Sequence, residues 1–335
     1  MNRQPDPQNT VLASVRELSV RFDSPHGVVS ALNGVSFDVA PGEVLGLIGE
    51  SGSGKSVTLR ALMKLLPEDR SQIDGSIVVG GRNIMALSRS LLNEYRGGTT
   101  AMIFQDPSLA LDPVYTIGQQ IEETIRRHTG VSRREAREQA REYLELVKIP
   151  SPEERLKSYP HEMSGGMRQR AMIALALSCR PKLILADEPT TALDATVQIQ
   201  VLLLLRELQQ KMGTSAIFVT HDLGVAAEIC DRIAVMYAGR IVEIGSARAV
   251  LRDPQHPYTQ ALLASTIHGS MRGQRITGID GSPPDLTRLP AGCAFRARCK
   301  HAHAECVNSV PLLRWLSTHA AACFVAQPSG QVAPN

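Results

Sequence analysis

Across residues 18–39 apolar and polar positions alternate, in runs such as Leu18-Ser-Val-Arg-Phe22 and Val35-Ser-Phe-Asp-Val39. That period of two predicts half-buried β-strands. Residues 43–48, Glu-Val-Leu-Gly-Leu-Ile, are almost continuously apolar and run into glycine, the mark of a buried strand feeding a loop. A helix is predicted to start at Lys55 and pass through Leu59, Leu62 and Leu66 to the break at Pro67. Residues 117–147 are strongly charged and helical in spacing, with Ala136, Ala140, Leu144 and Val147 on one face. Beyond Pro181 the pattern predicts a strand over 182–186, a helix over 195–211 and a strand over 215–220. A short helix over 224–230 and a strand pair around Ala238-Gly239 follow. Strands alternating with helices predict an α/β core, and the charged insertion predicts a helical subdomain.

Composition narrows the class. The 335 residues are 43% hydrophobic and 21% charged, which fits a soluble globular protein with ample core. A net charge of +3 leaves no footprint of nucleic-acid binding. The longest apolar candidate for a membrane span, 171–186, is broken by Arg180 and Lys182. The first ten residues, MNRQPDPQNT, lack the apolar core of a signal peptide. The expectation is a cytosolic protein, where disulfides are rare, reaching a membrane only through a partner. Residues 1–14 and 328–335 read as flexible ends.

Between the buried strand at 43–48 and the helix at Lys55 lies Gly49-Glu-Ser51-Gly52-Ser53-Gly54-Lys55-Ser56. It matches G-x-x-x-x-G-K-[ST] in full. Small residues let successive N–H groups curl round a phosphate, aided by the helix dipole. Lys55 would reach the β- and γ-phosphates and the Ser56 hydroxyl would sit on Mg²⁺. A Gly/Ser linker is the bland alternative, but a linker has no reason to join a buried strand to an amphipathic helix. Residues 183–188, Leu-Ile-Leu-Ala-Asp187-Glu188, form an apolar strand ending in two carboxylates. Asp187 suits a water-mediated hold on Mg²⁺, and Glu188 can reach a water in line with the γ-phosphate.

With these motifs stand Gln105, Met163-Ser164-Gly165-Gly166-Met167-Arg-Gln-Arg170, Asp194 and His221. The set resembles the ATP-binding cassette ATPases of ABC transporters, over about 15–245. The resemblance implies a P-loop NTPase fold of α/β class, with an N-terminal antiparallel β subdomain and a helical signature subdomain at about 106–165, the whole cassette spanning 15–250. It also implies that two cassettes sandwich two ATP molecules. Ser164, Gly165, Gly166 and Met167 would then contact the nucleotide of the partner cassette, and Asp194 would bridge the interface. Met163 and Met167 depart from the commonest signature, outside its Ser-Gly-Gly core. Gln105 would sense Mg²⁺ and the attacking water, and His221 would hold the γ-phosphate. By resemblance Val57 extends the nucleotide loop, and Phe22 stacks on adenine where tyrosine is more usual; Phe37 reads as core. Taken singly, Gln105 is a strand-end polar residue, His221 a loop histidine, and Ser164 and Asp194 helix N-caps.

Residues 157–170 are similar to dipeptide and oligopeptide importer ATPases, as are His256-Pro-Tyr-Thr259 and Gly281-Ser-Pro-Pro-Asp285. This assigns 251–327 to the C-terminal region such ATPases carry. The resemblance implies two multi-span permease subunits, an extracytoplasmic substrate-binding protein, a second cassette of the same or a different chain, and a place on the cytoplasmic face of the plasma membrane. Relatives also handle nickel, glutathione and sugars, and a soluble cassette ATPase of DNA repair or translation is the rival function. The long coiled coils or second cassette such proteins carry are missing from the sequence.

Four of the six cysteines, Cys293, Cys299, Cys306 and Cys323, crowd the C-terminal region. Their spacing lacks the tight C-x₂₋₄-C pair of structural zinc sites and is looser than familiar cluster runs. Reduced core thiols, Zn²⁺ with help from His301, His303 or His319, and a [4Fe–4S] cluster all remain open on spacing. The resemblance favours the cluster, as a staple whose distance in sequence from every nucleotide motif keeps it apart from hydrolysis. Cys179 and Cys230, in apolar helical contexts, read as ordinary small core residues.

Overall fold

The computed structural model describes residues 11–25, 27–191, 193–265, 278–316 and 318–326. The chain opens with β1 (Ala13–Ser24), β2 (Gly27–Val39), β3 (Val44–Ile48), α1 (Lys55–Leu62), β4 (Ser71–Val79) and β5 (Arg82–Asn83). Then come α2 (Arg89–Glu94), β6 (Thr100–Ile103), α3 (Pro107–Ala110), α4 (Ile117–Thr129), α5 (Arg133–Leu146), α6 (Pro152–Arg155) and α7 (Gly165–Leu177). The middle continues through β7 (Leu183–Asp187), α8 (Ala195–Met212), β8 (Ser215–Thr220), α9 (Leu223–Ile229), β9 (Arg232–Tyr237) and β10 (Arg240–Ser246). It closes with α10 (Ala247–Arg252), α11 (Pro257–Ala264), α12 (Glu305–Asn308), β11 (Arg314–Trp315) and β12 (Ala320–Ala321).

The chain divides into two compact units. One comprises Met1–Ala13, Val39–Glu43 and Val78–Phe218; the other comprises Ser14–Asp38, Val44–Ile77 and Val219–Asn335. In the first, β6 and β7 pair in parallel, Thr100 opposite Leu183 through Ile103 opposite Ala186, and β7 neighbours β8. The helices α4, α5 and α7 pack on one another, and α7 also meets β6 and α8. The face predicted from periodicity is the one buried: Ala136, Ala140, Leu144 and Val147 are fully enclosed. The charged segment forms two helices. Gly130 ends α4 in the left-handed region, and capping boxes at Thr116/Gln119 and Ser132/Glu135 start α4 and α5.

In the second unit β2, β1 and β4 are neighbours in one sheet. A further sheet portion runs β11-β12-β10-β9-β3. There β3 and β9 are parallel, Leu45 opposite Arg232, and β10 pairs antiparallel with both β9 and β12. The C-terminal region therefore adds two short strands to the edge beyond β10. Every residue of β3 is buried, as its unbroken apolar run requires. The helix α1 stops at Leu62, a turn before Leu66. Lys64 takes φ 51°, the Lys64 N–H bonds to Ala61 O and the Leu65 N–H to Arg60 O. This is a Schellman ending with lysine in the place glycine usually holds, so no glycine marked it.

Candidate functional site

The second unit holds the phosphate loop, Phe22 and His221, and the first holds Gln105, the Ser-Gly-Gly signature, the carboxylate pair and Asp194. The loop joins β3 to α1, and two of its glycines have no room for a side chain. A Cβ on Gly49 would lie 2.2 Å from Met236 O, and one on Gly54, at φ 103°, would lie 2.6 Å from Leu32 Cδ2. Lys55, 5% exposed, turns its ammonium back along the loop and donates to Gly49 O (2.7 Å) and Glu50 O (2.9 Å). Ser53 is buried, its N–H bonded to Glu50 O and its O taking the Gly239 N–H. Ser51 and Gly52 lie exposed at the loop tip, while Ser56 and Val57 are half-buried in the first turn of α1. A tight chain of N–H groups at a helix start, with a lysine beside it, is chemically an anion cradle.

Phe22 is half-buried on β1, and Phe37 is enclosed in the core as the alternation predicts. His221 is exposed immediately after β8, where the chain turns into α9 capped by Asp222.

In the first unit, Asp187 ends β7 and is buried. Glu188 follows at φ 44°, a left-handed conformation that a non-glycine residue adopts at a cost of order 1–3 kcal/mol and that clusters at functional sites. Its Oε2 accepts from Thr191 Oγ1 at 2.9 Å and, at a long 3.5 Å, from Gln105 Nε2. Gln105 and Glu188 are thus brought together from the ends of adjacent parallel strands. Ser164 caps α7 by accepting the Met167 N–H (3.3 Å), with Gly165 and Gly166 in the first turn. A Cβ on Gly166 would lie 2.9 Å from Val197 Cγ1. Asp194 caps α8 through Val197 N–H (3.0 Å). Both capping roles read from sequence are present.

The C-terminal region contributes residues that pattern reading missed. Arg298 makes a bidentate pair with Glu50, the second residue of the phosphate loop, at 2.6 and 2.9 Å. Tyr258, in the His-Pro-Tyr-Thr run, accepts the Glu50 N–H at 2.8 Å. Tyr237, Tyr258 and Phe295 cluster beneath, with ring centroids 4.6 to 5.4 Å apart. Burial raises the Tyr258 and Tyr237 phenols, and the Glu50 carboxylate raises the Arg298 guanidinium. Separation in sequence from the nucleotide motifs therefore does not keep this region apart from them. The only advance signal was the His-Pro-Tyr-Thr run, which carried no chemistry by itself.

None of the six cysteines forms a disulfide. Cys293, Cys299, Cys306 and Cys323 line one small cavity beside His256 and Phe295. Burial raises the Cys293 and Cys299 thiols, and the neighbouring thiols of the quartet push them further the same way. Such a donor set suits a thiolate-bound metal, which would displace the protons. Among the described residues, however, no group of three or more His, Cys, Asp or Glu is gathered to hold a metal ion. The zinc alternative loses His319, which is fully buried with Nε2 2.6 Å from Glu243 Oε1 and Nδ1 2.8 Å from Thr318 Oγ1. Cys179 and Cys230 follow helices α7 and α9 rather than lying within them. Cys179 is half-buried near Thr124 O, and Cys230 fills the space beside Gly46.

No described helix is long and apolar enough to cross a membrane. A family model described as "ABC transporter" matches residues 32–191, and one described as "Oligopeptide/dipeptide transporter, C-terminal region" matches 242–306. Over 97% of its length the chain is 49% identical to a probable peptide ABC transporter ATP-binding protein of Sinorhizobium fredii, covering 98% of that protein. It is 49% identical to the oligopeptide transport ATP-binding protein OppD of Salmonella typhimurium, over 96% of this chain and 95% of the other. The dipeptide transport ATP-binding protein DppD of Bacillus subtilis is 48% identical over 89% of each. Among solved structures, a dimeric ATP-binding cassette bound to ADP and Pi matches 70% of this chain and 99% of its own, with TM-score 0.63 and 27% identity.

Proposed function

The chain belongs to the ATP-binding cassette ATPases, among the oligopeptide and dipeptide transporter proteins, and from that premise we propose that it hydrolyses ATP to drive uptake of di- and oligopeptides. The observation that carries the reading is the phosphate loop, where Gly49 and Gly54 admit no side chain and Lys55 lies along the loop. The loop amides and Lys55 bind the polyphosphate, and Phe22 stacks on the base. Oxygen donors at Ser56, Gln105 and Asp187 suit Mg²⁺, a hard cation that neutralises phosphate charge. Glu188 takes the proton of the attacking water, with Thr191 and Gln105 holding its carboxylate. His221 steadies the γ-phosphate. In a pair of cassettes, Ser164, Gly165, Gly166 and Met167 serve the partner's nucleotide and Asp194 ties the interface.

Partners of this reading are a second cassette, two permease subunits and an extracytoplasmic binding protein, with the chain on the cytoplasmic face of the membrane and no nucleic acid. Membrane vesicles holding the complex should take up labelled peptide only with hydrolysable ATP. Purification without any multi-span partner, or with DNA or ribosomes, would overturn it.

The same reading assigns Cys293, Cys299, Cys306 and Cys323 to a [4Fe–4S] cluster, supported by the one cavity they line. Bound there, it would cross-link the C-terminal region. Anaerobically purified protein should be brown, with about four irons per chain; stoichiometric zinc or no metal would refute the assignment.

A further inference from the structure

Glu50 is out of place electrostatically. It belongs to a loop that receives a polyphosphate, yet it adds a carboxylate to it, and like charges in a partly buried site repel. Its side chain is 27% exposed, too enclosed for water alone to screen it. Arg298, 4% exposed, meets it with both arms of the guanidinium.

The fork itself is held on every nitrogen. Arg298 Nε donates to Asp280 O (3.0 Å), Nη2 also to Ile279 O (3.3 Å), and Nη1 also to Tyr237 Oη (3.3 Å). The Glu50 peptide is fixed as well, its N–H by Tyr258 and its O by Lys55 and Ser53. Thus the peptide after the loop's first glycine is held by Tyr258, 208 positions downstream, and the Glu50 carboxylate by Arg298, 248 positions downstream.

We propose that Arg298 is a positioning residue of the nucleotide site: it cancels the Glu50 charge and, with Tyr258, holds the loop open to phosphate, so that the C-terminal region sets nucleotide affinity. This rests on the phosphate loop being the ATP site. If that reading fails, the native chain binds no nucleotide, whereas failure of the present inference leaves native binding intact.

The test is equilibrium binding of Mg-ATP to the full-length chain and its variants, with thermal unfolding as a folding control. Arg298→Gln leaves the carboxylate uncompensated and should weaken binding about tenfold, equivalent to about 1.4 kcal/mol. Arg298→Lys keeps the charge without the fork and should fall between the two. Adding Glu50→Gln to Arg298→Gln removes the offending charge and should restore affinity to within about threefold of native, a rescue that loss of packing alone would not give. In steady-state hydrolysis by the assembled complex, KM should follow the binding loss while kcat stays within about twofold. Binding by folded Arg298→Gln within twofold of native, or a double variant as weak as the single, would overturn the proposal. Should Arg298→Gln alone fail to fold, the double variant decides: affinity within threefold supports it, and a tenfold loss overturns it.

Discussion

Acid should loosen the C-terminal region through one buried histidine. His256 is the N-cap of α11, its Nδ1 accepting the Tyr258 N–H at 3.0 Å, and burial lowers its pKa to about 3. An unfolded histidine titrates near 6.5. Between those values the unfolded chain binds a proton that the folded chain refuses, so stability is full above about pH 6.5 and falls as pH drops toward 3. The loss amounts to roughly 1 kcal/mol at pH 5.5 and is close to zero at pH 7.5. His256→Asn keeps an N-cap acceptor and removes the titration. Urea unfolding followed by near-ultraviolet circular dichroism, to which the packed Tyr237, Tyr258 and Phe295 rings contribute, reads the unit that holds the region. From pH 7.5 to 5.5 the native chain should lose roughly 1 kcal/mol more than the variant. Parallel losses would refute the buried neutral histidine.

Glu188→Gln should bind ATP yet lose ~10²–10⁴-fold in turnover, because the amide keeps the shape and not the proton acceptor; steady-state hydrolysis within twofold of native would refute the general base. Lys55→Ala should weaken nucleotide binding to the isolated chain, whereas Ser164→Arg should leave that binding nearly intact and block cassette pairing. Equal losses of affinity in the two would argue against a signature that serves the partner's site. Glu243→Ala removes a fully buried carboxylate that accepts the Gln255 and His256 N–H groups and faces His319. It leaves those buried N–H donors unpaired, at about 1–3 kcal/mol each, and should expose the C-terminal region to limited proteolysis; unchanged cleavage would refute that anchoring role.

Which parts were legible follows from what each needs nearby. Strands β3, β7 and β8 read clearly because each is buried along its whole length and so is an almost unbroken apolar run. The phosphate loop read clearly because its backbone path excludes side chains at Gly49 and Gly54. The stop of α1 did not, since Lys64 adopts a conformation that its identity disfavours. The break inside 117–147 was written in Gly130 and in the Ser132/Glu135 box, but a continuous charged pattern masked it. The contacts of Glu50 with Tyr258 and Arg298 had no local pattern, because each partner looks ordinary where it stands and acquires its role only through folding. Likewise Gln105 and Glu188 could be named singly, yet their meeting depends on β6 and β7 lying side by side.

The long reach from Glu50 to Arg298 also bears on how the chain is made. Arg298 is synthesised 248 residues after Glu50, a delay of roughly 12–50 s at ~5–20 residues per second. Throughout that interval the nascent phosphate loop carries its carboxylate without the guanidinium that offsets it. A ribosome-bound chain would hold every nucleotide motif and still capture ATP poorly, and so would a product truncated just before Arg298. Full competence for nucleotide would thus arrive late in translation.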